Sequence, residues 1–265
     1  MIPAIIFIPL ILTISVLTSS FIFYVLLKRE LKLIHSVRMI SAAHSLNKFL
    51  FSGSGYAAIS LKLKAQDLPA YKTVSSFALL ELLSFLPWVA LGFYFGPEIA
   101  LKVPLVFIVL LAVILPFSLF RKKRLAGFFK NAFAYFNEIK LSALAVLPLV
   151  LLNVACGVFY YFFLLRAFGL TLSLLDILKI TSVTFTVSYL SPSPSGLGFK
   201  EGSLVFLLMQ KSVPFKNAAA IAVADRAIIC VFYLILGALV AISFVLERPK
   251  KNEMSAIKQN EKCAG

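Results

Sequence analysis

Apolar residues run along this chain in long blocks that hold few charges, and most of the charges gather between them. Residues 2–27 carry no charge, and Lys28, Arg29, Lys32 and Arg38 follow soon after. A hydrocarbon core about 30 Å thick needs about 20 consecutive apolar residues per helix. The first block therefore predicts a full membrane span. Blocks at 74–95, 104–120, 142–165 and 218–246 predict four more, about five crossings in all. Two further apolar stretches are interrupted. Residues 39–63 are broken by FSGSG at 51–55, and the stretches 176–190 and 202–209 flank SPSPSGLGFKEGS at 191–203. Each piece is too short to cross and long enough to form one leg of a re-entrant hairpin.

Composition agrees with the pattern. Hydrophobic residues make up 61% of the chain and charged residues 14%. Soluble domains carry about 25% charged and about 45–50% apolar residues. The fold class is an all-α polytopic membrane protein, with about five transmembrane helices and two re-entrant broken hairpins. The net charge of +15 falls between the apolar blocks, as the positive-inside rule expects. It points to anionic lipid headgroups rather than nucleic acid. The same bias puts the N-terminus outside and the basic tail, 248–265, in the cytoplasm, with the chain in the cell membrane. The first block has no basic residue ahead of it and is longer than a signal-peptide core, so it reads as a retained helix. The segment 121–140 mixes basic residues with phenylalanines and reads as an interfacial amphipathic stretch.

The three cysteines show no CxxC spacing, and His35 and His44 have no companions at metal-ligand spacing. No metal, cofactor or catalytic residue is expected, and no nucleotide-binding loop is present.

The two breaks resemble each other. Gly53 and Gly55 match Gly196 and Gly198 at a separation of 143, and Pro69 matches Pro214 at 145. Tyr71 and Lys72 match Phe215 and Lys216, and Glu81 falls opposite Arg226. The expected organisation is one membrane domain, 1–247, made of two halves at about 1–95 and 142–246. The odd span at 104–120 and the basic segment at 121–140 join the halves and invert the second. Interrupted helices at matching places in inverted repeats are the sequence pointer to a transporter-type site.

Such breaks have a physical logic. Pro192 and Pro194 remove backbone donors, and the glycines permit a tight reversal. Backbone freed in this way cannot face lipid and must line protein or a water-filled cavity. The half-helix after the second break should begin near Phe199, and its N-terminus should attract an anion such as a lipid phosphate. Lys200 would add positive charge there, and Glu201 would be favoured by the same dipole. Charge inside a membrane is costly and marks candidate function. The candidate substrate-binding residues are therefore Lys200, Glu201, Asp225, Arg226 and Glu81, with Arg226 pairing to Glu201. Asn47 and Asn153 are expected to hydrogen-bond between helices.

At PSPSGLGFKEGSLVFLL the chain resembles the flippase-type membrane domain of the lysylphosphatidylglycerol synthase family. That family carries a Pro-x-Pro-Gly-Gly-Leu-Gly-x-x-Glu-like signature, matched by Pro192, Pro194, Gly196, Leu197, Gly198 and Glu201. Ser195 stands where the first glycine of the pair is expected, and Arg226 matches an arginine of the following span. In the first half, Tyr56 follows Gly55 where the family has a glutamate, and Leu82 stands where an arginine is expected. The resemblance implies a stand-alone lipid-translocating fold with re-entrant helices, and no aminoacyl transfer. The implied function is movement of a phospholipid or lipid-linked precursor between leaflets. A non-transporting partner of a lipid-modifying enzyme is the alternative, ahead of an integral-membrane lipid enzyme. The implied partners are the lipid substrate and the membrane; a lipid-modifying enzyme or a second copy of the chain remain open.

Overall fold

The computed structural model describes residues 2–49, 54–64, 68–96, 122–191 and 193–246. The expected span at 104–120, the tail at 248–265, Gly53 and Pro192 lie outside the described residues. The helices are α1 (Ile2–Leu26), α2 (Leu33–Phe49), α3 (Ser54–Lys64), α4 (Ala70–Phe95), α5 (Lys122–Ala145), α6 (Leu147–Ala167), α7 (Leu174–Leu190), α8 (Phe199–Met209) and α9 (Phe215–Leu246). No strand occurs among the described residues. Four of these helices are long and apolar enough to cross a membrane, over Ile6–Leu26, Ala70–Phe95, Leu147–Ala167 and Phe215–Val245. They carry exposed Leu, Ile and Val on their outer faces, as at Leu17, Leu86, Leu151 and Leu239.

One boundary differs from expectation. The span expected to start at 142 starts at Leu147 instead. Pro148 sits in the first turn of α6, where a missing N–H leaves no helical bond unmade. Residues 142–145 belong to α5, the basic segment. That helix buries Tyr135 and Ile139 while Phe133 and Leu141 stay exposed. It is fastened to the end of α1: Tyr135 donates to the Leu26 carbonyl at 2.9 Å, and Lys28 pairs with Glu138 at 2.8 Å.

Two apolar cores lie at the two ends of the bundle. One joins the start of α1 to α6, α7, α8 and α9 through Ile8, Tyr161, Leu165, Ile180 and Leu204. The other joins the end of α1 to α2, α3, α4 and α5 through Phe23, Leu26, Ile40, Leu63 and Leu80. Helices α1 and α6 run antiparallel through both. Phe7 stacks on Phe163 at 5.0 Å, and Asn153 links Ser15 and Ser19 at 2.5 and 3.2 Å. Asn153 is thus the interhelical link its type predicts. Asn47 is an interhelical link as well, accepting from the Gly55 N–H at 2.8 Å where α3 packs on α2.

Helices α2 and α7 are rich in small hydroxyl residues. Ser36, Ser41 and Ser45 are buried on α2; Thr181, Ser182, Thr184 and Thr186 are buried on α7. Small residues let helix backbones approach closely where no hydrophobic force draws helices together. Several hydroxyls return their hydrogen bond to their own helix, Ser45 to Ser41 O and Thr181 to Ile177 O. Among the helix pairs, α4 packs on α7, and α9 packs on α2. Gly92 makes the first contact possible, since a Cβ there would lie 2.9 Å from Thr186 Cβ. Gly237 does the same for the second, 3.1 Å from Ser45 Cβ.

Between α7 and α8 the chain makes a 3₁₀ turn, Pro194–Gly196. Ser195, Gly196 and Gly198 all have positive φ, at 53°, 71° and 83°. Gly196 is doubly required, because a Cβ would also fall 2.9 Å from Ser188 Cα. Away from this turn, Lys211 pairs with Asp176 at 2.5 Å. That ammonium and the Ser173 hydroxyl hold the Asp176 carboxyl below the usual carboxylate range.

Candidate functional site

A cavity of about 480 Å³ lies where α1, α2, α3, α4, α6, α7, α8 and α9 meet. Its volume falls in the range of about 300–1,000 Å³ typical of small-molecule sites. The walls alternate apolar groups such as Trp88, Phe185 and Ile229 with Ser15, Ser84, Asn153, Tyr189 and Tyr233. Four charged side chains line it: Lys48 from α2, Glu81 from α4, Lys200 from α8 and Arg226 from α9.

Lys200 and Asp225 form the most deeply placed pair. Nζ lies 2.7 Å from Asp225 Oδ2, and both residues are almost fully buried. Tyr160 donates to the other oxygen, Oδ1, at 2.7 Å. The rings of Phe185 and Tyr161 flank the ammonium at 5.6 and 5.8 Å. A carboxylate buried in this way needs such donors on both oxygens.

Glu201 and Arg226 form a looser pair. Glu201 Oε2 accepts from the Gly198 N–H at 2.7 Å, capping α8. Its Oε1 lies 3.7 Å from Arg226 Nη1, an ion pair too long to be a hydrogen bond. The same nitrogen donates to Ser195 O at 3.2 Å. Arg226 thereby grips the residue held in a left-handed conformation. Adjacent helix positions point about 100° apart, which is why Asp225 and Arg226 serve different partners. Glu81 accepts a short hydrogen bond from the Tyr56 hydroxyl, joining α4 to α3.

The structure brings the sequence candidates together. Lys200, Arg226 and Glu81 face the cavity; Asp225 and Glu201 sit behind, as partners of the first two. Pro194, Gly196 and Gly198 form the turn beside it, and Gly55 opens α3 against Asn47. Gly53 and Pro192 lie outside the described residues. The expected start of α8 at Phe199 and the pairing of Arg226 with Glu201 are both present. The Lys200 ammonium turns to Asp225, and Glu201 takes the Gly198 donor at the start of α8. The protein's own carboxylate meets the helix dipole there.

Sequence reasoning passed over Lys48 and Tyr160, and noted Tyr56 only as a departure from the family pattern. Lys48 was legible by the rule that singled out Glu81, being a charge inside an apolar stretch. Tyr56 was legible from the repeat, since it lies 145 positions before Glu201, as Glu81 lies before Arg226. Tyr160 carried no signal apart from its neighbours in the fold. Among the described residues no group of His, Cys, Asp and Glu could hold a metal ion.

No curated protein and no solved structure matches the chain. The family model described as the lysylphosphatidylglycerol synthase TM region matches residues 2–237, so the chain belongs to that family of membrane domains.

Proposed function

We propose that the protein moves a phospholipid or lipid-linked precursor between leaflets of the cell membrane, with the headgroup passing through the central cavity and the tails remaining in lipid. The observation that carries this reading is the cavity itself, a headgroup-sized space lined by Lys48, Glu81, Lys200 and Arg226 inside a lipid-facing bundle. Membership of a family of lipid-associated membrane domains supports it.

The reading includes two re-entrant hairpins, α2–α3 and α7–α8, related by an inverted repeat. The legs match in length, 17 and 11 residues in each hairpin. Contacts match as well. Residues of α2 and α7 correspond at a separation of 141, and those of α4 and α9 at 145. On those offsets the contact of Gly92 with Thr186 becomes that of Gly237 with Ser45. The pair Trp88–Phe185, 4.8 Å between centroids, becomes Tyr233–His44 at 6.2 Å. The Tyr56–Glu81 bond becomes the Glu201–Arg226 pair. The Lys200–Asp225 pair has no charged counterpart, as Gly55 and Leu80 occupy the matching places. With the segment at 104–120 as a fifth crossing, this path puts the N-terminus outside and the tail in the cytoplasm.

Proteoliposomes carrying labelled anionic, zwitterionic and amine-modified lipids test the function. Protein-dependent movement of at least one class is expected. No movement of any lipid by folded protein would leave the alternative, a membrane partner that positions an enzyme.

A further inference from the structure

We infer that Lys48 is the side chain by which the cavity recognises a phosphodiester, the group shared by glycerophospholipid headgroups whatever alcohol they carry. The inference deepens the proposed function and rests on that reading for the source of the phosphodiester.

Lys48 stands in the last turn of α2, at the edge of the first break, and its side chain lines the cavity. The other charged lining groups have internal partners. Lys200 is held at 2.7 Å by Asp225; Arg226 leans on Glu201 and Ser195; Glu81 is bonded by Tyr56. Lys48 makes no ion-pair contact with a carboxylate of the described residues; Glu81 shares the cavity wall with it, and the face of Tyr233 lies 5.6 Å from its ammonium. A cation over one ring keeps N–H donors for another acceptor. An ammonium inside a membrane protein is expensive unless something compensates it. Asp225 balances Lys200 at 2.7 Å and Glu201 lies 3.7 Å from Arg226, which leaves Lys48 as the lining cation with no carboxylate of the described residues in direct contact. The wall around Lys48 therefore has room for a negative group. Around it the bundle is coated with apolar side chains, so the negative group that reaches it from the bilayer is a lipid phosphodiester. Arg226 has free guanidinium donors beyond those used on Ser195 and Glu201, and it completes the clamp from the opposite half.

The test is binding by the full chain in neutral detergent. The probes are dioctanoyl phosphatidylglycerol, dioctanoylglycerol without the phosphodiester, and inorganic phosphate. The parent should bind the first and not the second. Lys48→Met should weaken binding by roughly tenfold or more, as truncating one partner of a buried charge pair does, and Lys48→Arg should restore it. If Lys48→Met does not fold, Lys48→Gln carries the same comparison. Equal affinity in parent and variant, or no binding by the parent, overturns the inference. Inorganic phosphate bound as tightly as the lipid overturns the lipid source and leaves a free-anion site. Translocation by the same preparations separates the two readings. Lys48-dependent binding without transport removes the transporter and keeps the site, whereas transport with Lys48-independent binding does the reverse.

Discussion

The Lys200 ammonium and the Asp225 carboxylate meet at 2.7 Å, and side-chain exposures of 6% and 1% leave them almost no contact with solvent. Removing one member strands the other in a low-dielectric interior, at a cost of about 3–5 kcal/mol. Asp225→Ala and Lys200→Met should each lower the unfolding temperature in detergent sharply. The double variant Lys200→Met/Asp225→Leu should be less destabilised than the two losses added. Additive losses in that cycle would show that the pair is not a unit.

Ser195 holds a φ of 53°, and Arg226 binds its carbonyl. The family signature has glycine here because glycine reaches that conformation without a Cβ clash. Ser195→Gly should be at least as stable as the parent, by up to about 1 kcal/mol, strain relief being offset by unfolded-chain entropy. Ser195→Val should lose stability, and thermal melts of the two variants decide the matter.

Gly92 and Gly237 each let a long span approach a hydroxyl-rich inner helix. Alanine at Gly92 must push against the Thr186 side chain and should cost about 1–3 kcal/mol. Alanine at Gly237 meets Ser45 at 3.1 Å and should cost less. Reversed order in unfolding measurements would contradict the matched packing.

The breaks between helices were legible, and the contacts made by the helix interiors were not. Proline and glycine at Pro194, Gly196 and Gly198 have few roles open to them, so the end of α7 and the start of α8 followed directly. The α5–α6 junction was missed because apolar residues continue through 142–147, and only Pro148 marks the boundary. Lys200 was recognised by its type and its partner was not. Residue type predicted that a charge in lipid would be compensated; only packing could say that Asp225, 25 positions away, supplies the carboxylate. Tyr160 reaches the same carboxylate from α6, 65 positions away, and no local pattern announces a contact of that range.

The hairpin reading predicts a labelling pattern. In a background without Cys156, Cys230 and Cys263, single cysteines at His35 and Lys64 should react with impermeant reagent from the same side. Cysteines at Ser173 and Gln210 should react from the opposite side. Labelling of the two ends of one hairpin from opposite sides would turn it into crossing helices.

The most direct test of the central claim is translocation by Glu201→Gln and Arg226→Ala beside the parent, in proteoliposomes, with folding confirmed by unchanged elution and melting. Glu201 and Arg226 tie α8 to α9 at the wall of the cavity. The account predicts that both variants fold and lose transport of the lipid that the parent moves. Parental rates in both would contradict it, and would place the path of the headgroup somewhere other than this cavity.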